Sequence, residues 1–147
     1  KALSQDLGLP VFLTLSKILY QKRKAYYLEL SKASAYTVDL TEWISFFITC
    51  VLEAQIDAKE TFYFVIKKAK FWKKYQSIIN ERQAKVLRRI LAEGKTGFKG
   101  DMTTKKYMIL TNCSKATATR DITDLFKKGC FLKSEEEGRS TFYSIKL

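Results

Sequence analysis

Ser114-Lys115-Ala116-Thr117-Ala118-Thr119-Arg120-Asp121-Ile122 opens a helix whose first turn is small, hydroxyl-rich and basic. Ser114 suits the cap position, and Ala118, Ile122 and Leu125 recur at the spacing of one buried stripe, which Phe126 continues. Gly129 supplies the left-handed turn that ends such a helix. Short side chains at a helix start let its backbone approach a duplex closely. Cations and hydroxyls then meet phosphates and base edges.

Working outward, Thr111-Asn112-Cys113 reads as a tight turn, preceded by a short helix from about Thr103 that carries Tyr107, Met108 and Leu110. Gly94, Gly97 and Gly100 mark a loop before it. Asn80 and Gln83 form a capping-box pair at the start of another helix, buried through Val86, Leu87, Ile90 and Leu91. On the other side, residues 130–134 and 139–147 alternate as two antiparallel strands around Glu135-Glu136-Glu137-Gly138. The order helix, helix, turn, helix, hairpin is that of a winged helix-turn-helix over 77–147.

Residues 1–76 read as long amphipathic helices. Pro10 fits a first helical turn, followed by Val11, Phe12, Leu15, Ile18 and Leu19, with the helix running on through Tyr26, Tyr27 and Leu30. Asp39 and Glu42 suggest a second capping box, opening a helix that carries Trp43, Phe46, Phe47, Val51 and Leu52 and continues to about Tyr75. So wide an apolar stripe calls for further protein against it. Either a missing N-terminal section or a second copy of the chain would provide it.

The 147 residues are 46% hydrophobic with a single proline, which favours a mainly α fold. A net charge of +12 favours an acidic partner, although lysines also serve solubility alone. Residues 80–147 carry 15 basic and 8 acidic side chains, against 12 and 7 in residues 1–79, so the C-terminal part is the more basic per residue. Cys50, Cys113 and Cys130 lack metal-ligand spacing and the chain has no histidine, which argues against a structural zinc site and for reduced thiols in a cytoplasmic setting. No signal peptide and no apolar run long enough for a bilayer is evident, so no membrane partner is expected. The chain begins at Lys1, as a fragment or processed piece would.

Several segments, in order, resemble the C-terminal portion of Fic-family proteins. They are the Leu15-Ser16 helix with Tyr26-Tyr27 and Leu30, Asp39-Leu40-Thr41-Glu42-Trp43 with Phe46-Phe47, Asn80-Glu81-Arg82-Gln83, Gly97-Phe98-Lys99-Gly100, and Ala116-Thr117-Ala118-Thr119-Arg120-Asp121. The resemblance implies a helical segment of a Fic core over 1–76 followed by an appended winged helix. It implies a parent enzyme that transfers AMP to protein hydroxyls (AMPylation) and uses ATP and Mg. The family signature HPFxDGNGR supplies a histidine base, a metal-binding acid and a glycine-rich anion nest. This chain contains none of it, and Lys1-Ala2-Leu3 is similar to the helix just downstream. The resemblance therefore places no catalytic, cofactor or metal residue in this chain.

Candidate contacts to double-stranded DNA are Ser114, Lys115, Thr117, Thr119 and Arg120, with Arg139 on the wing reaching for a minor groove. Asp121 and Asp124 are expected to face the same way and repel phosphate, and the acidic run 135–137 weighs against the wing. The alternative is a regulatory or dimerisation module making protein contacts only. Lys67-Lys68, Lys70 and Lys73-Lys74 around Phe71-Trp72, and Lys22-Arg23-Lys24, read as solvated helix faces. Cys113 reads as a small buried filler.

Overall fold

The computed structural model describes residues 15–35, 39–96, 101–134 and 141–147. These are mainly helical, with one small antiparallel sheet. Helices α1 (Leu15–Gln21), α2 (Arg23–Ser34), α3 (Thr41–Tyr75) and α4 (Glu81–Ala92) come first. A 3-10 turn at Gly94–Thr96 follows, then α5 (Thr104–Thr111) and α6 (Lys115–Lys127), and finally strands β1 (Phe131–Lys133) and β2 (Tyr143–Ile145). Two compact units divide inside α3, between Phe62 and Tyr63. The expected helix starts at Pro10, Val11 and Phe12, the Gly97–Gly100 loop, the 135–137 acids and Arg139 all lie outside the described residues.

Among the described residues of the first unit, Ile18, Cys50 and Ala54 are buried together, with Leu15, Leu19 and Phe46 packed against them. An ion pair from Lys17 to Asp57 joins α1 to α3, another from Lys22, between α1 and α2, reaches Glu53 of α3, and the rings of Tyr26 and Trp43 lie 5.6 Å apart between α2 and α3. Lys22, expected on a solvated face, is thus half-buried and engaged. It also interrupts the first helix, at φ −98° and ψ 19°, where an unbroken run to Leu30 is expected from the apolar spacing. The Asp39–Glu42 capping box does not form. The Leu40 carbonyl accepts the first helical hydrogen bond, from Ile44 N–H, so Asp39 stands one residue too early. Its carboxylate accepts from Thr41 instead, whose side chain and then backbone N–H hold its pKa below the usual value, and Glu42 pairs with Lys32.

Among the described residues the larger core is in the second unit. Phe71 and Tyr75 from the end of α3 are buried together with Val86, Leu87, Ile90 and Leu91 of α4, Tyr107 of α5, Ala118, Ile122 and Leu125 of α6, and Phe131 of β1. The joint expected at Gln76–Ile79 does follow the end of α3, yet the last turns of that helix belong to this core because their aromatic rings are out of water. Trp72 packs against the same core; Lys67, Lys70, Lys73 and Lys74 stand exposed, whereas Lys68, expected on the same solvated face, is half-buried and donates to the Leu91 carbonyl at 3.4 Å.

Local signals set the boundaries. Asn80 accepts from Gln83 N–H at 2.8 Å while the Gln83 amide oxygen accepts from Asn80 N–H at 3.0 Å, so the expected capping box is complete. Thr103 and Ser114 cap α5 and α6. Asn112, at φ 50° and ψ 50°, makes the left-handed turn between them, a conformation asparagine tolerates better than most residues. At the far end of α6, Gly129 sits at φ +78°; its N–H donates to Phe126 O and Cys130 N–H donates to Leu125 O, the paired bonds of a Schellman cap.

Strands β1 and β2 pair antiparallel with Phe131 opposite Ile145 and Lys133 opposite Tyr143. Met102, just before α5, exchanges two 2.8 Å backbone hydrogen bonds with Tyr143. β2 therefore has a partner on either side, a feature the alternation of the tail does not announce. Adjacent residues of α6 test the packing. Leu125→Ala, at a fully buried site, should cost about 2–5 kcal/mol in urea unfolding, and Phe126→Ala, at a 45% exposed site, should cost about 0.5 kcal/mol or less.

Candidate nucleic-acid interface

Helix α6 turns one face inward and one outward. Ala118, Asp121, Ile122 and Leu125 are buried, spaced three, one and three residues apart. Ala116, Arg120, Thr123 and Lys127 run along the opposite, exposed line at four-three-four spacing. Exposed Lys115 and Thr119 stand on one shoulder of that line, half-buried Thr117 on the other. Ala116, Thr123 and Lys127 are absent from the contacts expected from sequence. Their helical spacing from Arg120 is the signal that finds them.

The expected set is brought together in part. Lys115 and Arg120 are exposed and are not ion-paired with any described residue. Ser114 accepts from Thr117 N–H, and the two hydroxyls lie 3.0 Å apart. The Thr119 hydroxyl donates back to the Lys115 carbonyl at 2.9 Å, so its lone pairs and methyl, more than its proton, face outward. Arg139 lies outside the described residues.

Asp121 and Asp124 do not stand as outward charges. The Asp121 side chain is only 5% exposed, and one of its oxygens accepts from Arg82 Nε at 2.6 Å and from the Tyr107 hydroxyl at 3.1 Å. The Gln83 amide nitrogen donates to the Asp121 carbonyl and to the Asp124 carboxylate, and Lys128 donates to the same Asp124 oxygen. Position 121 belongs to the buried stripe by spacing. A reading by charge puts it in water, whereas partners 39 and 14 residues away allow its burial. Only Asp124 keeps an appreciable exposed fraction, and its charge is opposed by Lys128.

These contacts shift the groups that make them. Lys128, then Gln83, holds the Asp124 carboxyl below the usual carboxylate range. Arg82 is held more firmly protonated by its bond to Asp121. Burial, reinforced by the neighbouring Asp121 charge, pushes the Tyr107 phenol well above its ordinary value. Cys130 is pushed up to about 11 by burial. Cys113 is half-buried and accepts from the Thr111 hydroxyl at 3.1 Å. Asn80, Glu81, Arg82, Lys85 and Thr111 line a shallow open groove beside this network.

Charge is divided more sharply than the sequence halves show. Residues 1–62 hold seven basic and seven acidic side chains, so the whole net charge of +12 belongs to residues 63–147. Among the described residues, no group of three cysteine or carboxylate side chains comes together as a metal site, and no helix is long and apolar enough to cross a membrane. No family model matches this chain, and no curated protein does.

The Tyr107 phenol gives a direct check on the network. A group whose folded pKa is raised contributes stability that is complete below its unfolded value, near 10, and is lost as pH rises above it. Wild-type protein should therefore lose stability more steeply than Tyr107→Phe above about pH 10 in urea titrations. Below that pH the variant should be weaker by about 1 kcal/mol for the lost hydrogen bond. Parallel curves above pH 10 would show that the phenol is not held in its protonated form.

Proposed function

We propose that the second unit is a winged helix that binds double-stranded DNA by laying the outer line of α6 in the major groove. The observation that carries this reading is the inward turn of Asp121 and the pairing of Asp124. Together they clear the outward face of α6 of unopposed negative charge and leave Arg120, Lys127 and Lys115 as its charged groups. Confinement of the net charge to this unit supports it further. Arg120 and Lys127 would neutralise phosphates or read guanine, while Ala116 and Thr123 would allow close approach. Arg139 would add a wing contact.

In the same reading the chain is the non-catalytic C-terminal region of a cytoplasmic Fic-family AMP-transferring protein, with ATP and Mg belonging to the parent's catalytic part. The ordered series of resembling segments supports this parentage. One of them, Asn80-Glu81-Arg82-Gln83, supplies the cap of α4 and two of the groups that hold α6.

A second reading, protein contacts only, is favoured by Phe126. It leaves 45% of its surface in water on the shoulder of α6 next to the proposed contact line. Fluorescence anisotropy with a labelled duplex separates the two. Binding through α6 should weaken steeply as salt rises, and Arg120→Ala and Lys127→Ala should each lose several-fold affinity and lower the salt slope by about 1. Lys24→Ala, in the first unit, should change neither quantity. Binding of undiminished strength by the Arg120→Ala/Lys127→Ala double variant at moderate salt would remove the DNA reading of this face.

A further inference from the structure

We propose that the uncovered face of α3 in the first unit is the seat of a second copy of this chain, paired antiparallel about a two-fold axis. Cys50 and Ala54 of α3 are fully buried, and on the opposite side Ile44, Ile48, Leu52 and Ile56 remain exposed, Ile48 by 60%, with Leu40, just before the helix, and Phe47 exposed on the flank. Four large side chains in water along one side of one helix, with two more beside them, are far more than isolated surface hydrophobes. Their exposed area is on the order of 600 Å², against the about 800 Å² each partner gives to a stable interface. Val51 and Gln55, within the same footprint, extend it.

The face specifies its own occupant. From Leu40 to Ile56 it carries no ionised side chain, so it offers nothing by which a charged partner would be selected. Ile44, Ile48, Leu52 and Ile56 form an evenly spaced i, i+4 ridge, the kind that interdigitates with a like ridge. Turned about an axis between Ile48 and Leu52, the ridge meets itself: Ile44 of one copy lies against Ile56 of the other, and Ile48 against Leu52. Such a patch is isologous and closes at two copies. The first unit is also electrically neutral, so two of these faces meet without the repulsion that the basic unit would impose. The pairing does not depend on nucleic-acid binding.

Size-exclusion chromatography with light scattering on the whole chain, from low to high micromolar, tests it. Wild type should reach twice its 17.0 kDa. Ile48→Glu and Leu52→Glu should each return the single-copy mass with helical circular dichroism unchanged. Ile109→Glu, at a 72% exposed site on α5, should leave the dimer intact. A single-copy wild type at the highest concentration would overturn the proposal, and would mean that other protein covers the face. So would an open-ended series of larger species, or a dimer that survives Ile48→Glu. If either glutamate variant loses helicity, the wild-type mass alone decides.

Discussion

A carboxylate almost entirely removed from water must be met by hydrogen-bond donors, and Asp121 meets two, from two other helices. Arg82 comes from the first turn of α4 and Tyr107 from the middle of α5, so one oxygen of α6 fixes its relation to both. Gln83 adds a bond to the Asp121 backbone while its own amide oxygen completes the cap of α4. The start of one helix and the inner face of another are thus specified by the same four residues, 80–83. Apolar packing would hold these helices together but tolerates sliding; directional polar contacts give them a register.

The same network explains how one helix presents contrasting faces. α6 carries two acids and several cations over thirteen residues, which would read as a mixed, nearly neutral surface if all of them stood in water. Drawing one acid into the core and matching the other with Gln83 and Lys128 separates the charges. The interior satisfies the negative groups and the exterior displays the positive ones. On the scale of the chain, a similar sorting leaves the first unit neutral and apolar and the second strongly basic.

Much of this was legible from the sequence where the cause is local. The Asn80–Gln83 box, the Ser114 cap and the Gly129 stop are short-range hydrogen-bond patterns, and the length of α3 follows from an apolar stripe that never breaks. The features that escaped depend on distant groups. Asp121 sits at a buried-stripe position, but nothing in its neighbours says that Arg82 and Tyr107 will be there to receive it. The helix break at Lys22 has no proline or glycine to signal it. The Asp39–Glu42 pair has the right spacing for a box, and a one-residue difference in where α3 begins removes it. Likewise Ala116, Thr123 and Lys127 drew no attention by residue type, although the helical period places them beside Arg120.

Because β2 lies between β1 and the Met102 bridge, the middle of this small sheet is supplied by the last of its three segments in chain order. During synthesis the helices α4 to α6 leave the ribosome before the residues that will join the two flanking backbones. Until Tyr143–Ile145 arrive, Met102 and Phe131 have no backbone partner between them, and both are side chains that the finished unit keeps almost wholly from water. A nascent chain paused in that interval would expose two unpaired edges and two apolar residues, the state most open to capture by a chaperone or by a neighbouring nascent chain.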